Sequence, residues 1–226
     1  MDSKTFLQYK NHFLPAIVKV LKTSQKGSLD EAAFPAYSHP NPFISYLFWK
    51  RLHIIITYLE NHHPYESILD FGTGSGVMLP FLGSVAKNVE ALDVDVTPAK
   101  RIGSIIPFPP NITLTEYTED QSGVYHKESF DLIVALDVLE HLQNLQKATK
   151  WLFSLLKPGG QIIFSGPSEN ILYKIGRRIA GKDFTGNYHT SNINDVKDEV
   201  EKITRVKIIA QLYPFLNFFR IYSVVK

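Results

Sequence analysis

The sequence predicts an open α/β sheet, and three observations carry that prediction. Ile68-Leu69-Asp70-Phe71 is a short apolar run that breaks into Gly72-Thr73-Gly74-Ser75-Gly76, with glycine at every second position. Short apolar runs bounded by glycine read as buried strands. Further runs of the same kind recur at residues 89–95, 130–136 and 161–164, each separated from the last by turn signals and a helical stretch. Residues 206–212 and 218–225 also read as strands, and Tyr213-Pro214-Phe215-Leu216-Asn217 between them is too short for a crossover helix. Strands joined by so short a link run antiparallel.

In chain order, residues 6–21 carry Phe13, Leu14, Ile17, Val18 and Leu21 as a helical stripe, which Pro15 is expected to kink or reset. His39-Pro40-Asn41-Pro42 then separates it from a stronger helix marked by Ile44, Phe48, Leu52, Ile55 and Leu59. The glycine-rich turn leads into a helix predicted over residues 77–87. Val89-Glu90-Ala91-Leu92-Asp93-Val94-Asp95 is a strand ending in acids, after which Asp95 starts a turn and Thr97-Pro98 opens a helix. A short strand at 112–114 leads into Glu116-Tyr117-Thr118-Glu119-Asp120. The apolar run from Phe130 passes Leu136 and Asp137 into a turn and helix at Val138-Leu139-Glu140-His141. Lys157-Pro158-Gly159-Gly160 stops the next helix and turns into another strand. Residues 168–190 follow it, with Ile171, Leu172, Ile175 and Ile179 on one helix side and Lys174, Arg177 and Arg178 on the other.

Composition narrows the function. A chain of 226 residues with 44% hydrophobic and 20% charged content suits one large globular domain. A net charge of +2 gives no reason to expect a nucleic-acid partner. With no cysteine, disulfides, thiolate metal sites and thiol chemistry are excluded. No apolar core follows Met1-Asp2-Ser3-Lys4, and Ile54-Ile55-Ile56 is far too short to span a bilayer. A soluble, cytoplasmic protein is expected. His12, His39, His53, His62, His63 and His126 show no metal-ligand spacing, so no metal is expected.

The glycine turn is the chemical centre of the chain. Glycine allows positive φ and a close ligand approach, and such a turn at the carboxyl edge of an open sheet surrounds a ligand with backbone N–H groups. The dinucleotide fingerprint is Gly-x-Gly-x-x-Gly, but here Gly76 comes one position early and Val77 stands in its place. That spacing argues against a nicotinamide dehydrogenase. The phosphate-loop ending Gly-Lys-Ser/Thr is absent. What remains is acid-x-Gly-x-Gly-x-Gly starting at Asp70, with a second acidic strand end about twenty residues on, where a carboxylate can accept from a ribose diol.

This pattern resembles the first motif of the class I S-adenosylmethionine-dependent methyltransferases. The acidic end of the second strand, the run from Phe130 to Leu142 and the run from Leu155 to Phe164 are similar to later motifs of the same family, in the same order. The resemblance implies a doubly wound, mostly parallel seven-stranded sheet finishing in a reversed hairpin. Residues 1–62 would be a helical extension, 63–226 the Rossmann-like domain, and 168–190 an insertion shaping the acceptor pocket. S-adenosylmethionine would be the cofactor. By resemblance, the backbone of Gly72, Thr73, Gly74 and Gly76 meets its methionine portion and Asp70 orients the loop. Asp93, with Val94 beside it, takes the ribose; Asp120 takes the adenine; Leu136 and Asp137 border the crevice below the sulfonium.

Methyl transfer from a sulfonium is a direct displacement, so much of the catalysis comes from holding nucleophile and methyl in line. A neutral acceptor also loses a proton, which suits histidine near neutral pH. His141 and His189 are the candidates, with Phe184 and Tyr188 beside His189 as the pocket wall. No acceptor signature is present: Leu136-Asp137-Val138-Leu139 stands where amide and base methylases carry Asn-Pro-Pro-Tyr. A small-molecule acceptor is expected. The alternatives are a lipid or isoprenoid methyltransferase meeting a membrane through Lys174, Arg177 and Arg178, and a non-catalytic S-adenosylmethionine-binding homologue.

Overall fold

The structure, a computed structural model, describes residues 1–24, 29, 34–118, 125–167, 192–212 and 219–226. Helix α1 (Ser3–Lys22) begins where Asp2 Oδ1 accepts from the amides of Lys4 and Thr5 at 2.8 and 2.9 Å. It buries Phe6, Phe13, Ala16, Ile17 and Val20, so of the predicted stripe only Phe13 and Ile17 lie on the buried face, while Leu14, Val18 and Leu21 are half-buried beside it. Pro15 does not reset it. The helix runs through, with the proline on the exposed side and buried residues on either flank outweighing the lost hydrogen bond. A short α2 (Phe34–Tyr37) precedes α3 (Pro42–Glu60), where Asn41 caps the first turn and Pro42 occupies the position that needs no N–H.

The seven strands are β1 (Tyr65–Phe71), β2 (Ala86–Asp93), β3 (Ile112–Glu116), β4 (Phe130–Leu136), β5 (Leu156–Pro167), β6 (Lys207–Leu212) and β7 (Phe219–Val225). They form one sheet in the order β3-β2-β1-β4-β5-β7-β6. β1 with β4, β2 with β3 and β4 with β5 pair in parallel, while β7 lies antiparallel to both β5 and β6. The reversed hairpin is therefore as expected. Leu132, Ile133, Val134 and Ala135 of β4 are wholly buried, which is why this strand reads as a continuous apolar run.

The helix predicted over 77–87 is shorter, α4 (Leu79–Val85). At its start, Leu79 N–H donates to Gly76 C=O at 3.0 Å and so still belongs to the turn. At its end, Asn111 Nδ2 donates to the carbonyls of Gly83 and Ala86, each at 2.9 Å, and the chain passes directly into β2. Among the described residues the other elements are α5 (Thr97–Gly103), a 3₁₀ turn (Leu139–His141), α6 (Leu145–Leu155) and α7 (Ile193–Glu201). By Cα packing the chain divides into two units, Met1–Pro64 with Thr73–Glu116, and Tyr65–Gly72 with Tyr117–Lys226. No helix among the described residues is long and apolar enough to cross a membrane.

Candidate cofactor site

The three glycines of the turn all adopt positive φ: +79° at Gly72, +53° at Gly74 and +72° at Gly76. L-residues with a Cβ rarely take such values, so alternate glycine is a conformational requirement. The turn is also stitched to the end of β2. Thr73 N–H donates to Leu92 C=O at 3.1 Å, and Gly74 N–H donates to Asp93 Oδ2 at 2.7 Å. Asp93 Oδ1 accepts from Asp95 N–H at 3.3 Å. Burial pushes the Asp93 carboxyl above its ordinary value, and the amides of Gly74, Asp95 and Val94 offset only part of that. Each oxygen keeps acceptor capacity beyond its amide.

Thr73 and Ser75 are buried, and Thr73 Oγ1 has no hydrogen-bond partner among the described residues. A Cβ on Gly76 would lie 2.9 Å from Phe108 Cζ, so this position is crowded as well as twisted. Val94 is exposed, and Asp95 Oδ1 accepts from Thr97 N–H at 2.8 Å, opening α5 as expected.

In the other unit, Asp70 is buried on β1 opposite Val134 of β4. A Cβ on Gly72 would meet Val138 Cγ2 at 2.5 Å, so the first glycine accommodates the segment after β4. Leu136 ends β4, and Asp137 takes φ +55°. Its N–H donates to Ser165 C=O at 2.9 Å, and its Oδ1 accepts from Ser165 Oγ at 3.0 Å. Glu140 is buried on the 3₁₀ turn, 3.3 Å from where a Gly166 Cβ would stand, whereas His141 next to it is exposed.

Glu140, Val138 and Ser165 were not singled out in sequence as site neighbours. Ser165 carries a faint signal, a hydroxyl at the end of an apolar strand; a glutamate opening a helical turn reads as surface. Asp120, His189, Phe184, Tyr188, Lys174, Arg177 and Arg178 lie outside the described residues.

A family model described as a methyltransferase domain matches residues 43–201. Ubiquinone biosynthesis O-methyltransferase of Histophilus somni (strain 2336) is 30% identical over 107 residues, covering 44% of this chain and 44% of that protein. The chain thus matches less than half the length of such curated relatives. Among solved structures, N-methyltransferase NodS from Bradyrhizobium japonicum WM9, in complex with S-adenosyl-L-homocysteine, aligns with a TM-score of 0.62 at 16% identity, over 93% of this chain and 98% of NodS. A SAM-dependent methyltransferase from Aquifex aeolicus aligns with a TM-score of 0.57 at 17% identity, over 75% of this chain and 87% of its own. At these identities the structural likeness is one of fold.

Proposed function

The chain belongs to the methyltransferase domain family, and from that membership we propose that it moves a methyl group from S-adenosylmethionine to a small-molecule acceptor. The observation that carries the reading is the bond from Gly74 N–H to Asp93, which fixes the glycine turn and a diol-accepting carboxylate together. The residues suit the cofactor. Asp93 has acceptor capacity left for the ribose hydroxyls, and the positive-φ glycines keep side chains out of the methionine path.

The cofactor supplies an activated methyl on a cationic sulfur, and the protein's part is to hold and align. Gly72, Thr73, Gly74 and Gly76 take the methionine portion, with Asp70 orienting the turn. Val94 and Asp120 complete the nucleoside contacts, and Leu136 and Asp137 border the reacting end. His141, exposed on its turn, or His189 accepts the one proton the acceptor loses. A quinone-pathway name among the relatives supports a small-molecule acceptor. Residues 1–62 serve as a helical extension to the domain at 63–226, and the protein works in the cytoplasm. Membrane contact through Lys174, Arg177 and Arg178 is tested by liposome co-sedimentation, which the change of Arg177 and Arg178 to Glu should abolish.

Calorimetric titration with S-adenosylmethionine and S-adenosylhomocysteine tests the reading. Micromolar binding, weakened about a hundredfold in Asp93→Ala as two charge-assisted hydrogen bonds are lost, is the expected result. Folded wild-type protein that binds neither ligand overturns it.

A further inference from the structure

Resting on the cofactor reading above, we propose that Tyr9 is a positioning residue for the cofactor turn, tying α1 to the backbone just beyond Gly76. The Tyr9 hydroxyl donates to the carbonyl of Val77, the residue after the third glycine. Within the turn, Gly76 N–H donates to Thr73 C=O at 2.8 Å and Leu79 N–H to Gly76 C=O at 3.0 Å. Tyr9 therefore holds the turn from outside, across 68 positions of sequence.

The hydroxyl is aimed by its ring. Tyr9 stacks on Phe13 at 5.5 Å and on Phe6 at 6.3 Å between ring centroids, with interplanar angles of 20° and 14°. Phe6 and Phe13 are both buried, so the tyrosine is seated on fixed neighbours. The carboxyl end of α1 is anchored separately. Arg101 of α5 donates Nη1 to Ser24 Oγ at 2.5 Å and Nη2 to Thr23 Oγ1 at 2.8 Å. Helix α5 follows the β2 end that carries Asp93, so α1 is attached on both sides of the Gly74–Asp93 bond.

A helix attached in this way is coupled to the turn it braces. Docking of α1 holds Val77 and with it the preceding amides. By linkage, a ligand that orders those amides favours the docked helix in return. Tyr9 touches no reacting atom in this scheme; it acts through Val77.

Tyr9→Phe tests this, because it keeps the ring stack and removes only the donor. S-adenosylhomocysteine affinity is read by calorimetry, melting by scanning calorimetry, and the ligand-free turn by hydrogen exchange at residues 73–79. The expected result is roughly fivefold weaker binding, the scale of one net hydrogen bond, with faster exchange across the turn. A lowered melting temperature with unchanged affinity and exchange would make Tyr9 a packing residue and overturn the proposal, leaving the cofactor reading intact. Wild-type protein that binds no S-adenosylhomocysteine overturns both.

Discussion

Gly72 and Gly159 have nearly the same backbone, φ +79° and +78°, and quite different surroundings. A Cβ on Gly72 would strike Val138 at 2.5 Å, while a Cβ on Gly159 would meet nothing within 4 Å. Gly72 follows β1 at the carboxyl ends of the parallel strands, and Gly159 lies in the Lys157–Gly160 bulge near the amino end of β5. The first glycine answers to both a dihedral angle and a neighbour, the second to the angle alone. Sequence displays the two identically, so crowding is what separates a packed site turn from a plain reversal.

The acids at the two ends differ in the same sense. Asp93 is pushed up by burial, with its amide partners too weak to reverse it. Burial also works against the charged form of Asp131, but Lys157 Nζ at 2.9 Å and the amides of Ser67 and Glu66 outweigh that and hold its carboxyl below the ordinary value. One end of the sheet surrounds a more deeply buried carboxylate with amides alone, and the other adds a lysine cation to the amides on its carboxylate.

Gly72→Ala is the largest expected break, because a strained φ and an overlap add. A loss of about 3–4 kcal/mol of stability is expected by denaturant titration. A loss no larger than that of Gly159→Ala would erase the contrast. The second effect concerns Asp93. A diol prefers the ionised carboxylate, so cofactor affinity should fall as pH drops below the raised folded value, by up to about tenfold per pH unit. Asp93→Asn should flatten that profile. For stability alone the sign is opposite: the folded chain holds this proton more tightly than the unfolded one, so Asp93 costs stability as pH rises through the interval between their values. Third, Gly159→Ala should cost about 1–2 kcal/mol, the price of a left-handed residue without a clash, with Gly159→Asn costing less. The smallest effect is at Asp131, where side chains about a third exposed leave the ion pair well screened. Asp131→Asn should lose about 0.5–1 kcal/mol at neutral pH. Since the folded carboxyl is depressed, that contribution is present above the unfolded value and lost as pH falls through the folded one. Wild type and variant should then converge in acid.

Much of this architecture is legible in sequence because it is written in local signals. The apolar runs at 68–71 and 130–136, the alternate glycines and the short link after residue 212 depend on near neighbours in the chain, and they place the strands and the reversed hairpin. What sequence hides is long-range pairing. The hydroxyl of Tyr9 on Val77, Ser165 on Asp137 and Asn111 on the end of α4 each join residues whose proximity no periodicity encodes. Asn111 bears on the misjudged helix end: Pro80 and Gly83 lie within the predicted stretch, and the carbonyls of Gly83 and Ala86 are taken up by a side chain 25 or more residues away. Glu140 is hidden for a different reason, since a lone glutamate carries no mark of burial.

The position of β7, last of the seven strands in sequence yet inserted between β5 and β6, has a consequence for how the protein is made. During synthesis from the amino end, β6 emerges before the strand it pairs with, and β5 presents an open edge with seven residue positions waiting to be paired. Neither is satisfied until β7 has left the ribosome, so closure of the sheet is a late, long-range event. Until then the β5 edge is open to pairing with another nascent chain, a place for chaperone protection.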